Sequence, residues 1–372
     1  MRPLFAPAIA LLNRLAYPKK FALMGALTLI AIAVLIGSLY QSLHRVIEHS
    51  QRELVGLEVA KPVIRLIQHL QVHRGLSSGL LNGNESMAEK RSARAGEVSE
   101  AFKALAGQLV PELTNGERWK KIVDSWAALE KDGLDLTPRE NLLSHNRLID
   151  DLFSLQRDLS DYYTLTNDPD IAATYLIQTA IDHSPRAIES MGQLRALGTG
   201  VLTKKQPLVL SQQIEFTVLH EHLHSAIDSL QRTVATVVRL HPHLQASLVK
   251  SAAQLDAATD KVGELIDTDI LSGTYATPPD TYFALTTEAV ESGYRTIFDQ
   301  LFPTVQQLIA ERVRHAERNL HLSIAVAGLL LLAYVYVAFA LAYATVDTID
   351  RLAADARQIA TGDLTVGVDL KT

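Results

Sequence analysis

FALMGALTLIAIAVLIGSLY, residues 21–40, and LSIAVAGLLLLAYVYVAFALAYAT, residues 322–345, contain no charged side chain. Each reaches the ~20 residues that a helix needs to cross about 30 Å of hydrocarbon. The long segment between them is too polar for a bilayer, and its apolar residues recur at helical spacing. The pattern predicts an all-α chain. It divides into a cytoplasmic tail over 1–20, transmembrane helices over 21–41 and 321–345, a long periplasmic helical bundle over 42–320, and a further amphipathic helix from 346.

Orientation follows from the first twenty residues. Arg2, Arg14, Lys19 and Lys20 stand there without an acidic residue, which assigns this tail to the cytoplasm. A cleaved signal peptide has the same basic start and apolar run. Leu39-Tyr40-Gln41 offers no small-residue cleavage site, so an uncleaved anchor is expected. Arg312, Arg314 and Arg318 lie just outside the second run, yet two spans still return the C-terminus to the cytoplasm. The whole chain has 372 residues, 48% hydrophobic and 20% charged, with net charge −6, which excludes a disordered chain and gives no basic field for nucleic acid. It has no cysteine, hence no disulfide, thiolate metal site or cysteine nucleophile.

Breaks divide the central region. Asn82-Gly83-Asn84 reads as a turn, and Thr137-Pro138 as an N-cap followed by the first helical residue. Asn167-Asp168-Pro169 and Ser184-Pro185 interrupt the pattern again, and Gly198-Thr199-Gly200 reads as a helix end. Ser272-Gly273 through Pro278-Pro279-Asp280 is the clearest loop. From Thr281 the helical pattern continues into the second apolar run, with Pro303 predicted as a kink. Those ~40 residues span about 60 Å as a helix, a length that needs packing partners. Trp119 and Trp126, seven apart, share one helix face and read as core.

Two stretches carry candidate binding chemistry. In Leu70-Gln71-Val72-His73-Arg74-Gly75-Leu76-Ser77-Ser78-Gly79, Arg74 falls seven after Ile67 and so points into the bundle. Gly75, Ser77, Ser78 and Gly79 permit close helix approach and supply hydroxyls. A buried guanidinium needs an acceptor, either a planar oxyanion or an internal carboxylate such as Glu189 or Asp158. In Pro185-Arg186-Ala187-Ile188-Glu189-Ser190-Met191-Gly192-Gln193-Leu194-Arg195-Ala196-Leu197-Gly198, the two arginines lie on different faces. Arg195, among small residues, is the one expected to face inward. Close helix packing with snorkelling arginines accounts for the same composition.

The first stretch resembles the Arg-Gly signature of nitrate- and nitrite-sensing (NIT) ectodomains. The second, through Gly192-Gln193-Leu194-Arg195-Ala196-Leu197-Gly198, resembles a segment of NIT-like ectodomains in bacterial methyl-accepting chemotaxis receptors. The Pro279-Asp280-Thr281-Tyr282-Phe283 entry to the last helix is similar to those receptors too. In the family, nitrate sits in a helical bundle between arginines of separate helices. The resemblance implies Arg74 and Arg195 as the ligand-binding pair, with Gly75, Ser77 and Ser78 beside them. His73 departs from the pattern, which more often has an acidic or basic residue before the arginine.

Beyond the second run, Ile349, Leu352, Ala356 and Ile359 alternate three- and four-residue spacings, a seam suited to a parallel dimer. With Gly362-Asp363-Leu364 the segment 346–372 resembles the first helix and connector start of a HAMP signal converter, although Val346-Asp347-Thr348 stands where a proline is usual. No second HAMP helix follows, so the chain is expected to be a fragment or to have lost its output domain. His220 and His224 make an i, i+4 pair able to grip Zn or Cu, but without the surroundings of a metalloprotease, and a solvated polar face explains them as well. No phosphate loop, nucleophile elbow or dinucleotide fingerprint occurs, so neither enzyme activity nor a cofactor or metal is expected. The expected protein is a homodimeric sensor in the bacterial inner membrane. It takes a small-molecule or anion ligand in the periplasm and hands its state to cytoplasmic signalling proteins where an output domain follows. A HAMP-linked diguanylate cyclase or histidine kinase is the alternative output, and a membrane scaffold or periplasmic metal-binding protein the alternative class.

Overall fold

A computed structural model of the chain describes residues 2–360. Among the described residues all regular structure is helical, as the periodicity predicts. The helices are α1 (Arg2–Asn13), α2 (Tyr17–Leu81), α3 (Ala88–Ala106), α4 (Pro111–Thr114), α5 (Glu117–Asp132) and α6 (Pro138–Tyr162). They continue as α7 (Ile171–Gln178), α8 (Ser184–Lys204), α9 (Leu210–Leu240), α10 (Gln245–Leu265), α11 (Pro279–Arg295) and α12 (Phe302–Ala360). Two compact units result: residues 49–312, and a second made of 1–48 with 313–372.

α2 and the helix that ends in α12 each contain a window apolar enough to cross a membrane, with mean hydropathy 2.4 and 2.5 and no residue of either window buried. A core helix of a water-soluble fold hides its apolar face, whereas these expose Leu35, Leu329, Leu332 and Tyr336. α12 continues unbroken through the seam residues Leu352 and Ala356. The Gly362-Asp363-Leu364 ending lies outside the described residues.

Within residues 49–312, α8, α9, α10 and α11 pack in sequence order and α11 closes back on α8, a four-helix bundle. A second bundle joins α2, α3, α5 and α6, where Trp126 stacks on Phe102 and donates to Ser99 Oγ at 2.9 Å. Trp119 and Trp126 are both buried, as core residues should be. The Thr137–Glu140 capping box starts α6 at Pro138, and Gly83 makes its turn at φ 101°. The Gly198-Gly200 break is overturned. α8 runs through it to Lys204, and Gly198 serves inside the helix, because a Cβ there would sit 2.4 Å from the Tyr282 ring.

Two prolines are accommodated by a local change of winding. Thr179–His183 and Thr296–Leu301 are π-helical, each just ahead of a proline, Pro185 and Pro303. A proline ring collides with the carbonyl four residues back, here Ile181 and Asp299, and both lie in the widened turns. Pro62 sits inside α2 without such a turn. So the predicted interruptions at Pro185 and Pro303 take the form of π turns within continuous helical runs.

Candidate functional site

α2 is buried along two seams. Leu57, Ala60, Ile64, Ile67, Gln71 and Arg74 form one, and Val59, Val63, Leu66, Leu70, His73 and Ser77 the other. Both follow alternating three- and four-residue steps, so Gln71 and Arg74 occupy positions a simple bundle would fill with leucine. The first seam meets α8 and α11, through Glu189 and Tyr294. The second meets α3 and α6, through Arg91 and His145.

At the first seam Arg74, 1% exposed, pairs in forked fashion with Glu189 of α8, Nη1 to Oε1 and Nη2 to Oε2 at 3.1 Å. Nη1 also donates to Asn146 Oδ1 at 2.7 Å. Glu189 receives further bonds from Gln71 Nε2 at 2.8 Å and Gln193 Nε2 at 2.7 Å. The Tyr294 hydroxyl donates to Gln71 Oε1 at 2.8 Å, and burial pushes that phenol well above its ordinary range. Arg74 Nε is buried without a partner among the described residues.

Arg195, 3% exposed, donates from Nη1 to Thr287 Oγ1 at 3.0 Å and lies over the Phe283 ring, 5.1 Å from its centroid. Its Nη2 lies 3.7 Å from the point where Gly75 would carry a Cβ. Burial first, then the charge of Arg74, lowers its pKa to about 10. Two guanidinium groups from separate helices thus converge beside one carboxylate. Of the two internal partners weighed for Arg74, Glu189 is the one used. Asp158 pairs with Arg118 on the surface instead, at 2.7 Å.

The remaining expected ligand residues separate. Gly75 lies beside Arg195, and Ser78 is half-buried. Ser77 belongs to the other seam, where its hydroxyl accepts from Arg91 Nε at 2.9 Å. His73 faces that way too, bonded through Nδ1 to His145 Nε2 at 2.9 Å. Burial holds both imidazoles neutral, His73 lowered to about 2 and His145 to about 3. Sequence reasoning missed Gly192 as a site residue, although it stands in the quoted stretch. A Cβ there would sit 2.9 Å from Arg74 Nη2, so only glycine lets α8 lie against the guanidinium. An open groove of about 710 Å³ between α6, α8 and α9 reaches Glu189 and Gln193.

A second charged cluster gathers around Arg312. Its Nε donates to Ser50 Oγ at 2.9 Å, its Nη2 to Asp168 Oδ2 at 2.9 Å, and it also bonds Glu53. α2, the α6–α7 connection and α12 are thereby tied together. Burial first, then Asp168, raises the Glu53 carboxyl to about 8. Of the histidine pair, His220 rests on Gly263 and faces Asp267 at 3.6 Å, and among the described residues no three His, Cys, Asp or Glu side chains are grouped to hold an ion.

A family model described as nitrate and nitrite sensing matches residues 65–312, a stretch that includes Arg74, Glu189 and Arg195 and ends on Arg312. Among solved structures, the NasR transcription antiterminator is similar in fold, with a TM-score of 0.51 over 92% of this chain and 91% of that one, at 17% identity. No curated protein matches.

Proposed function

This chain belongs to the nitrate and nitrite sensing family, and from that premise we propose that residues 49–312 bind a small planar oxyanion at Arg74 and Arg195. The observation that carries the reading is the meeting of these two guanidinium groups, both buried, one with an unused Nε and the other without a carboxylate partner among the described residues. A buried cation with spare donors in fixed orientation favours a trigonal anion, whose oxygens match the guanidinium fork. Gly75 and Gly192 let the helices lie close against these two groups.

The sensing unit then faces the periplasm, between the two spans, in a homodimer whose HAMP-like seam carries the signal inward. The ligand acts by preferring one of two helix packings. The output we favour is that of a methyl-accepting chemotaxis receptor, with a cyclase or kinase as the alternative. Support comes from the apolar, unburied windows and from the continuous helix through Leu352 and Ala356.

The test is nitrate and nitrite titration of the full chain in lipid nanodiscs, read by calorimetry and thermal stability. At one hundred times Kd, a bound anion adds about 2.7 kcal/mol to stability. The effect is expected to vanish in Arg195→Gln. Anion stabilisation that survives in both Arg195→Gln and Arg74→Gln would place the site elsewhere.

A further inference from the structure

The buried constellation contains two cations and one anion. Arg74, Arg195 and Glu189 are 1%, 3% and 6% exposed, and both oxygens of Glu189 are occupied by donors from Arg74, Gln71 and Gln193. All four of these bonds are donated to Glu189, whose carboxylate oxygens act only as acceptors here. It therefore cancels one guanidinium charge and leaves one. Of the nearby carboxylates, Glu291 is exposed and screened by solvent, while burial first, then the charge of Glu189, raises the Asp150 pKa and favours its neutral form. His73 and His145, the other titratable groups buried next to Arg74 on α2 and α6, are neutral.

We infer that Glu189 is the charge filter of the anion site: it sets the buried balance at a single positive charge, so the site accepts monovalent oxyanions and rejects divalent ones. The inference rests on the reading of Arg74 and Arg195 as the anion site. A monoanion brings the interior to neutrality. Sulfate or hydrogen phosphate, although its oxygens bond equally well, would leave an unpaired negative charge next to Glu189. Shape alone discriminates poorly among small oxyanions. Charge discriminates strongly where water is excluded.

The experiment is calorimetric titration of the full chain in nanodiscs with sodium nitrate and sodium sulfate at matched ionic strength. Nitrate is expected to bind at least about 100-fold more tightly than sulfate. In Glu189→Gln that ratio should fall at least about tenfold through a gain in sulfate affinity, while Glu189→Asp keeps it. Thr287→Glu places a second carboxylate beside Arg195 and should weaken nitrate at least about tenfold. An unchanged ratio in folded Glu189→Gln, with nitrate still bound, overturns the filter and leaves the anion site standing. If neither anion binds the unsubstituted chain or Glu189→Gln, the site itself falls and the filter with it. Should Glu189→Gln fail to fold by circular dichroism, Thr287→Glu decides, and undiminished nitrate affinity there overturns the filter.

Discussion

Arg74 and Glu189, 115 residues apart in sequence, meet as a forked ion pair with almost no access to water. Removing either partner alone leaves a buried charge without its counter-ion, a loss of about 3–5 kcal/mol. Arg74→Ala and Glu189→Ala are therefore both expected to lower stability by that order. The double variant Arg74→Met/Glu189→Leu should recover most of it while losing anion binding. Denaturant titration of the unsubstituted chain, Arg74→Met, Glu189→Leu and the double variant gives the coupling directly. Additive single effects would show that the pair is not the unit of stability.

Two glycines flank the same guanidinium groups with unequal clearance. A methyl at position 75 would stand at ordinary contact distance, 3.7 Å from Arg195 Nη2, whereas one at 192 would stand 2.9 Å from Arg74 Nη2. Gly192→Ala is expected to displace Arg74 from Glu189 and to cost about 1–3 kcal/mol, whereas Gly75→Ala, inside α2 and at ordinary contact, should gain up to about 1 kcal/mol. Thermal melts of the two variants check the order.

Stability should peak near pH 6.5. His73 and His145 have folded pKa values of about 2 and 3 against 6.5 ordinarily, so the unfolded chain takes up protons first and stability falls as pH drops below 6.5. Glu53 is raised to about 8 from 4.5, so the unfolded chain loses its proton first and this group's contribution declines as pH rises from 4.5 to 8. Between 6.5 and 8 the glutamate acts alone. Glu53→Gln should flatten that alkaline side, and His145→Gln should shallow the acid side. Melting temperature across pH 5 to 8 would show each effect, and an unchanged profile in both variants would remove the linkage.

Arg312 ties Ser50, Glu53 and Asp168 together at the end of the sensing unit from which both long helices leave. Arg312→Met leaves the Asp168 carboxylate without its cation and is expected to cost about 3–5 kcal/mol. Arg312→Met/Asp168→Asn should regain part of it. Hydrogen exchange at residues 49–60 and 164–170 would localise the loosening.

The two long apolar runs were readable because neither contains a charge, and the all-α class followed from spacing alone. Arg74 was readable as an inward residue from its seven-residue step after Ile67. Ser77 was not assignable, because α2 is buried on two faces and one periodic stripe cannot say which partner each seam meets. Gly198 misled for a similar reason. Glycine near Gly200 suggests a helix end, yet here it is the space under Tyr282, a residue 84 positions away, that requires it. Glu189 was one of two internal partners considered, and composition could not choose it over Asp158 before α8 was known to lie against α2.

The π turn ahead of Pro303 fixes an angle as well as avoiding a clash. Its bonding pattern takes one residue more per turn than the α-helix, and one residue corresponds to about 100° of rotation about the axis. Every side chain from Phe302 to Arg312 inherits that offset, including the buried Val305, Leu308 and Ile309. Excising one residue from 296–301 together with Pro303→Ala would restore plain winding and turn residues 302–312 about the helix axis, with no atom of the Arg74–Glu189–Arg195 group altered. The chain thus encodes the rotational setting of the last turns of its sensing unit covalently, in one proline and one widened turn.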